Sequence, residues 1–118
     1  MSTLEDLVIN VRISVASPGA PSESMFGPGI AKLCDGVRQL GSLNAAAKSM
    51  GMAYSKAWRI IKDTEATLGI RLLDRDGAHG SQLTSDGTRL LDAYQSISKQ
   101  LQADGEALYA EETAERRG

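Results

Sequence analysis

Between Leu7 and Val15 the chain alternates: Leu7, Ile9, Val11, Ile13 and Val15 fall on one side, and Asn10, Arg12 and Ser14 on the other. A period of two with β-branched residues predicts a half-buried strand. The following "SPGAPSES" breaks regular structure and predicts a loop. From Pro28 the period becomes helical. Ile30, Leu33, Val37 and Leu40 share a face with Cys34 beside them, proline suits a first turn, and Gly41 ends the helix. Ser42 is a good N-cap for a second helix, Leu43 to Met50, which turns Leu43, Ala46, Ala47 and Met50 inward. Its alanines let another helix come close. Gly51 supplies a turn, and a third helix, Tyr54 to Leu68, carries Ala57, Ile61, Thr64 and Leu68 as its inward stripe before Gly69 closes it.

Two short extended runs in "IRLLDRDGAHGSQLT" flank the turn-rich "DGAHGS" and predict a hairpin. "TSDG" then caps a long last helix. Leu90, Tyr94, Ile97, Leu101 and Leu108 follow approximate heptad spacing along it, interrupted at Asp104 and Gly105. A single seam with little left to bury against predicts a dimerisation helix. The end, "EETAERRG", is expected to fray. The order of elements predicts a mainly α fold with a small β component: a winged helix-turn-helix with an N-terminal strand and a long C-terminal linker helix. Residues 1–84 would form the winged helix-turn-helix, and residues 85–118 the dimerisation helix and tail.

Composition adds limits. With 118 residues and 4% aromatics, the core must come from Leu, Ile, Val, Ala and Met. Cys34 is the only cysteine, so no intrachain disulfide forms, which fits a reducing cytoplasm. No signal peptide is evident, and the apolar runs fall short of the roughly 18 residues that a membrane helix needs. No phosphate-binding loop or nucleophile-elbow motif is present, so an enzyme is not expected. One histidine and a core-facing Cys34 make neither a metal site nor a redox centre.

The net charge of -2 hides a gradient. Lys48 to Arg75 holds six cations against three anions, a local +3, whereas Leu101 to Gly118 carries -3. A local basic patch decides phosphate affinity more than total charge does. The second and third helices would form a unit that sets a helix into the DNA major groove. The DNA-facing set is then Ser42, Tyr54, Ser55, Lys56, Arg59 and Lys62. Arg59 suits guanine O6 and N7, whereas Lys56 and Lys62 suit phosphate. Trp58 lies between the core stripe and the outer face, placed either to brace the motif or to reach the DNA backbone. The hairpin adds Arg75, His79, Gly80 and Ser81, where glycines allow close approach to phosphate.

The motifs "LGSLNAAAKSMGM", "LGIRLLDR" and "LTSDGTRLL" resemble the DNA-binding domain of LysR-type regulators. The early strand, "FGPGIAKL" and "YSKAW" resemble the ModE family of molybdate-responsive regulators, in which a Tyr-x-x-Ala-Trp pattern opens the recognition helix. Here that pattern is Tyr54, Ala57 and Trp58. The resemblance covers about Leu7 to Leu101 and implies a transcriptional regulator that binds double-stranded DNA as a homodimer. Full-length members of both families continue into effector domains, and this chain is expected to stand alone without one. No cofactor is expected; molybdate or tungstate enters by family analogy only. Ala53 stands where both families commonly place a serine N-cap. The alternative function is a winged-helix module that binds protein instead of DNA, because fold does not fix function.

Overall fold

The computed structural model describes residues 3–19, 25–75 and 80–114. Its elements are a single 3-10 turn at Leu4–Asp6, then α1 (Pro28–Leu40), α2 (Leu43–Ser49), α3 (Tyr54–Leu68), β1 (Leu73–Arg75), β2 (Ser81–Leu83) and α4 (Ser85–Thr113). Strands β1 and β2 pair antiparallel, with Leu73 opposite Leu83 and Arg75 opposite Ser81. The architecture is mainly helical with one small sheet, a winged helix-turn-helix followed by a long helix.

The core lies where α1, α2 and α3 meet the wing and the first turns of α4. Leu33, Cys34, Val37, Leu43, Ala46, Ala47, Ala57, Ile61, Leu72, Leu73 and Leu91 are all buried there. Helices α1 and α2 approach closely because small residues face each other. A Cβ on Gly36 would lie 2.8 Å from the Cβ of Ala46. Gly87, in the first turn of α4, has no room for a side chain against the carbonyl of Leu72, so α4 starts pressed on the backbone of the wing. Thr84 fixes that start, its hydroxyl accepting from the Gly87 amide at 2.9 Å. Arg38 ties α1 to α4 by donating to Asp92 at 2.6 Å and to Gln95 at 2.9 Å. The hydrogen bond that Arg38 donates to Asp92 is the main reason that its guanidinium is held even more firmly protonated than usual.

The N-terminal segment departs from the expected strand. Residues 7 to 15 run without helix or strand, and their one β-bridge among the described residues is Val15 with Phe26. Among the described residues no neighbouring strand takes up the alternation. Side chains of α4 do so instead: Ile9, Val11 and Ile13 are half-buried, while Val8, Asn10 and Arg12 are exposed. The segment is a strap laid along α4. Past Tyr94, helix α4 buries no residue fully, and the molecule is elongated, 67 × 32 × 22 Å.

Candidate nucleic-acid interface

The turn between α2 and α3 is built from backbone. The amides of Met50 and Met52 both donate to the carbonyl of Ala47, at 3.0 and 2.9 Å, and Gly51 takes the left-handed conformation at φ 66° that this turn requires. Ser42 caps α2, accepting from the Ala45 amide at 3.0 Å. Its side-chain oxygen is therefore engaged at the helix end. Ala53 occupies the cap position of α3 with no side-chain hydrogen bond. The first amides of that helix are left without the acceptor that serine would provide.

Helix α3 divides cleanly into faces. Ala57, Ile61, Thr64 and Glu65 are buried, and Ser55, Lys56, Arg59 and Lys62 are exposed. Tyr54 and Trp58 form a T-shaped pair, with ring centroids 6.3 Å apart and the Trp58 indole N–H donating to the Tyr54 hydroxyl. Both rings are half-buried against the core, so Trp58 braces α3. Lys62 stands 5.2 Å from the centre of the Trp58 ring and 3.5 Å from the Glu65 carboxylate. Its charge is thus partly answered within the helix. Lys48, Lys56 and Arg59 make no ion pair with any described residue. These three cations, with Ser55, form the open basic surface of the motif.

Glu65 is the residue that sequence reasoning missed. Its buried carboxylate accepts from the amides of Leu72 and Leu73 at 2.7 and 3.2 Å. It thereby joins the end of α3 to the start of the wing. The signal available was an acid on the inward side of an amphipathic helix, just before a turn. Such a carboxylate needs donors, and the strand amides supply them.

The wing residues fall out differently from expectation. Ser81 is buried at 7% exposure, because the two-residue period of β2 turns it toward α1; it is not a surface contact. Gly80 sits at φ 91°, and a Cβ there would lie 2.9 Å from the Gly41 carbonyl and 3.2 Å from the Cβ of Ser42. That glycine lets the wing rest on the turn between α1 and α2. The backbone of Arg75 closes β1; its side chain and His79 lie outside the described residues. Among the described residues no cluster of three or more His, Cys, Asp or Glu could hold a metal ion. Cys34 is buried beside Glu65, and burial pushes its thiol up to about 12, which removes it from nucleophilic chemistry.

Residues 31–88, which run from α1 through the first turn of α4, match the family described as bacterial regulatory helix-turn-helix protein, lysR family. These residues are a LysR-type DNA-binding helix-turn-helix. Among solved structures, the DNA-binding domain of CbnR, determined as a complex with DNA, is 29% identical. The likeness covers 68% of this chain and 91% of that one, with a TM-score of 0.57. No curated protein matches the chain. The family match and the DNA-bound relative support a sequence-specific DNA-binding transcription regulator. The strap at residues 3–15 and most of α4 lie outside the family match.

The seam expected for dimerisation is also redistributed. Tyr94 is buried, packs edge-on against Phe26 with centroids 5.3 Å apart, and donates to the carbonyl of Ile13 at 3.0 Å. It belongs to the strap side of α4 and not to an open seam. Leu90 is half-buried against the core, while Ile97, Leu101 and Leu108 stay exposed. No described helix is long and apolar enough to cross a membrane.

Proposed function

We propose that this protein reads an inverted repeat in double-stranded DNA as a homodimer, each copy laying α3 into one major groove. The observation that carries the reading is the open cationic face of Lys56 and Arg59 at the start of a rigidly braced α3. The solved relative, CbnR, was determined with DNA on the same kind of domain. In this reading Arg59 reads a base edge, Ser55 meets a base or a phosphate, and Lys48 and Lys56 hold phosphates. Lys62 contributes less, because Trp58 and Glu65 already hold it. Arg75 and His79 would follow the backbone from the wing, whereas Ser42 and Gly80 seat the wing and the helix end.

The dimer is supported by the apolar stripe of α4. Leu90, Ile97, Leu101 and Leu108 are spaced seven, four and seven residues apart, the same in either direction. Two such helices running antiparallel about a twofold axis near Lys99 would set Leu90 against the partner's Leu108, and Ile97 against the partner's Leu101. Each pair buries apolar surface at about 25 cal/mol per Å². A twofold dimer asks for half-sites about 34 Å apart, or a multiple of that. The ModE-type reading is the finer one. The edge-on pair of Tyr54 and Trp58 and the extended N-terminal segment support it, whereas the family match itself is to LysR.

Selection of bound sequences from a random duplex library, followed by fluorescence anisotropy over a salt series, tests the function. Enrichment of an inverted repeat, with affinity lost in the Lys56→Ala, Arg59→Ala double variant, is the expected result. If no sequence enriches at low salt, the reading fails, and capture of a protein partner through α3 or α4 becomes the question.

A further inference from the structure

The strap is anchored at both ends. Toward the head, Val15 exchanges two backbone hydrogen bonds with Phe26, at 2.9 and 2.8 Å, and Ser17 donates to the carbonyl of Thr67 near the end of α3 at 3.0 Å. Along α4, one face supplies a series of partners. Tyr94 donates to Ile13, Gln102 engages Ile9 and Val11, and Tyr109 donates to Leu4 at 2.8 Å. The primary amide of Gln102 donates to the Ile9 carbonyl and accepts from the Val11 amide, both at 2.8 Å. Those are the two groups that flank Asn10 and that a parallel neighbouring strand would engage. One side chain thus stands in for the missing strand. Gly105 provides the adjacent notch, where a Cβ would lie 2.8 Å from the Cγ2 of Val11.

These contacts run from Tyr94 to Tyr109, about 22 Å of helix at 1.5 Å rise per residue. Past Tyr94 α4 has left the core of the head. A helix held only at its root can swing. A second strut running from the end of α3 to the far part of α4 closes a triangle and removes that freedom.

We infer that the strap, through Gln102 and the notch at Gly105, fixes the direction of α4 relative to α3 and so determines which half-site spacing the dimer accepts. Gln102 is a positioning residue: it faces the strap and lies away from both the basic surface and the Leu90–Leu108 stripe. The inference rests on the dimer proposed above and adds the element that selects the operator's geometry. Without the strap, each head would still read its half-site, but the two heads would tolerate several separations.

The test uses the full chain and two variants. Gln102→Leu removes both hydrogen bonds at similar volume. Gly105→Leu fills the notch while favouring the helix. Circular dichroism checks that both retain the wild-type helix content. Anisotropy is then measured on a single half-site and on inverted repeats of the selected sequence with spacers changed one base pair at a time. Two base pairs rotate one head by about 70° relative to the other. For the wild type, that change should cost about tenfold or more in affinity; for both variants less than about threefold, with single half-site affinity within about twofold of wild type. Spacer profiles of both variants that superimpose on the wild type overturn the inference. Loss of single half-site binding in both also overturns it, because the strap would then serve the stability of the head. If the wild type itself selects no inverted repeat, the proposed function fails first, and a different result is seen: no profile exists to compare.

Discussion

Arg59 and Lys56 lie three positions apart on one exposed face, yet they should behave differently when removed. A guanidinium that pairs with a guanine edge carries sequence information, whereas an ammonium on a phosphate carries none. Arg59→Ala is therefore expected to weaken the selected site by about 1–3 kcal/mol and to relax the base preference at one position. Lys56→Ala should weaken all duplexes alike and reduce the slope of log affinity against log salt by about one. Anisotropy on matched and single-mismatch duplexes separates the two. Inside the domain, Glu65→Ala would leave the buried amides of Leu72 and Leu73 without an acceptor. Two such groups cost about 2–5 kcal/mol together, read as a lowered denaturation midpoint in urea. Cys34 offers a further check. Burial disfavours its thiolate, so alkylation at pH 8 should track global unfolding and not native exposure.

At the scale of elements, helix ends and close contacts decide the outcome. Ala53→Ser should give α3 the cap it lacks and raise stability by about 1 kcal/mol, measured by thermal unfolding. Gly87→Ala should act in the opposite sense, by about 1–3 kcal/mol, because the obstacle is the Leu72 carbonyl, which cannot rotate aside. The four helices and the hairpin were legible because each is written locally: a 3.6-residue stripe for each helix, Pro28, Ser42 and Thr84 at the starts of α1, α2 and α4, Gly41, Gly51 and Gly69 at or just after the ends of α1, α2 and α3, and a turn-rich run between two short extended ones for the hairpin. The range read for α3, Tyr54 to Leu68, matches the structure. The strand did not appear, because alternation reports only that one side is buried and not what buries it; here helical side chains do. For the same reason Tyr94 was read onto the open seam. Heptad spacing cannot distinguish two apolar stripes on one helix, one covered by the chain's own N-terminal segment. Within the site, exposure of Ser55, Lys56 and Arg59 followed from the stripe beneath them. Burial of Ser81 in the wing is not legible in the sequence, because a three-residue strand gives too little alternation to fix its inward face. Glu65 escaped notice because its partners are backbone amides across a turn, and no residue type in the sequence marks them.

The whole molecule separates its charges in space. The reading head carries the local excess of cations and α4 ends in acids, so an acidic protein can still present a basic face to DNA. Binding should accordingly fall steeply with salt although the isoelectric point is about 5.3. Ile97 and Leu101 lie at the centre of the exposed stripe. Leu101→Glu is expected to shift the protein toward monomer in sedimentation velocity at micromolar concentration, and to lower affinity for the full repeat more than for one half-site.

The strap has a consequence for how the chain acquires its shape. Tyr109 meets Leu4 across 105 residues, and Gln102 meets Ile9 across 93. Contacts that distant close late, since each must draw together a long loop whose entropy is lost before the bond forms. The strap is synthesised before the α4 residues that hold it. Until α4 is complete, Val8, Ile9 and Val11 form an unattached β-prone segment, the kind of sequence that pairs with its own copies. A nascent or C-terminally shortened chain is therefore the species most exposed to aggregation, and the helix that would join two finished subunits also shields each one from joining wrongly.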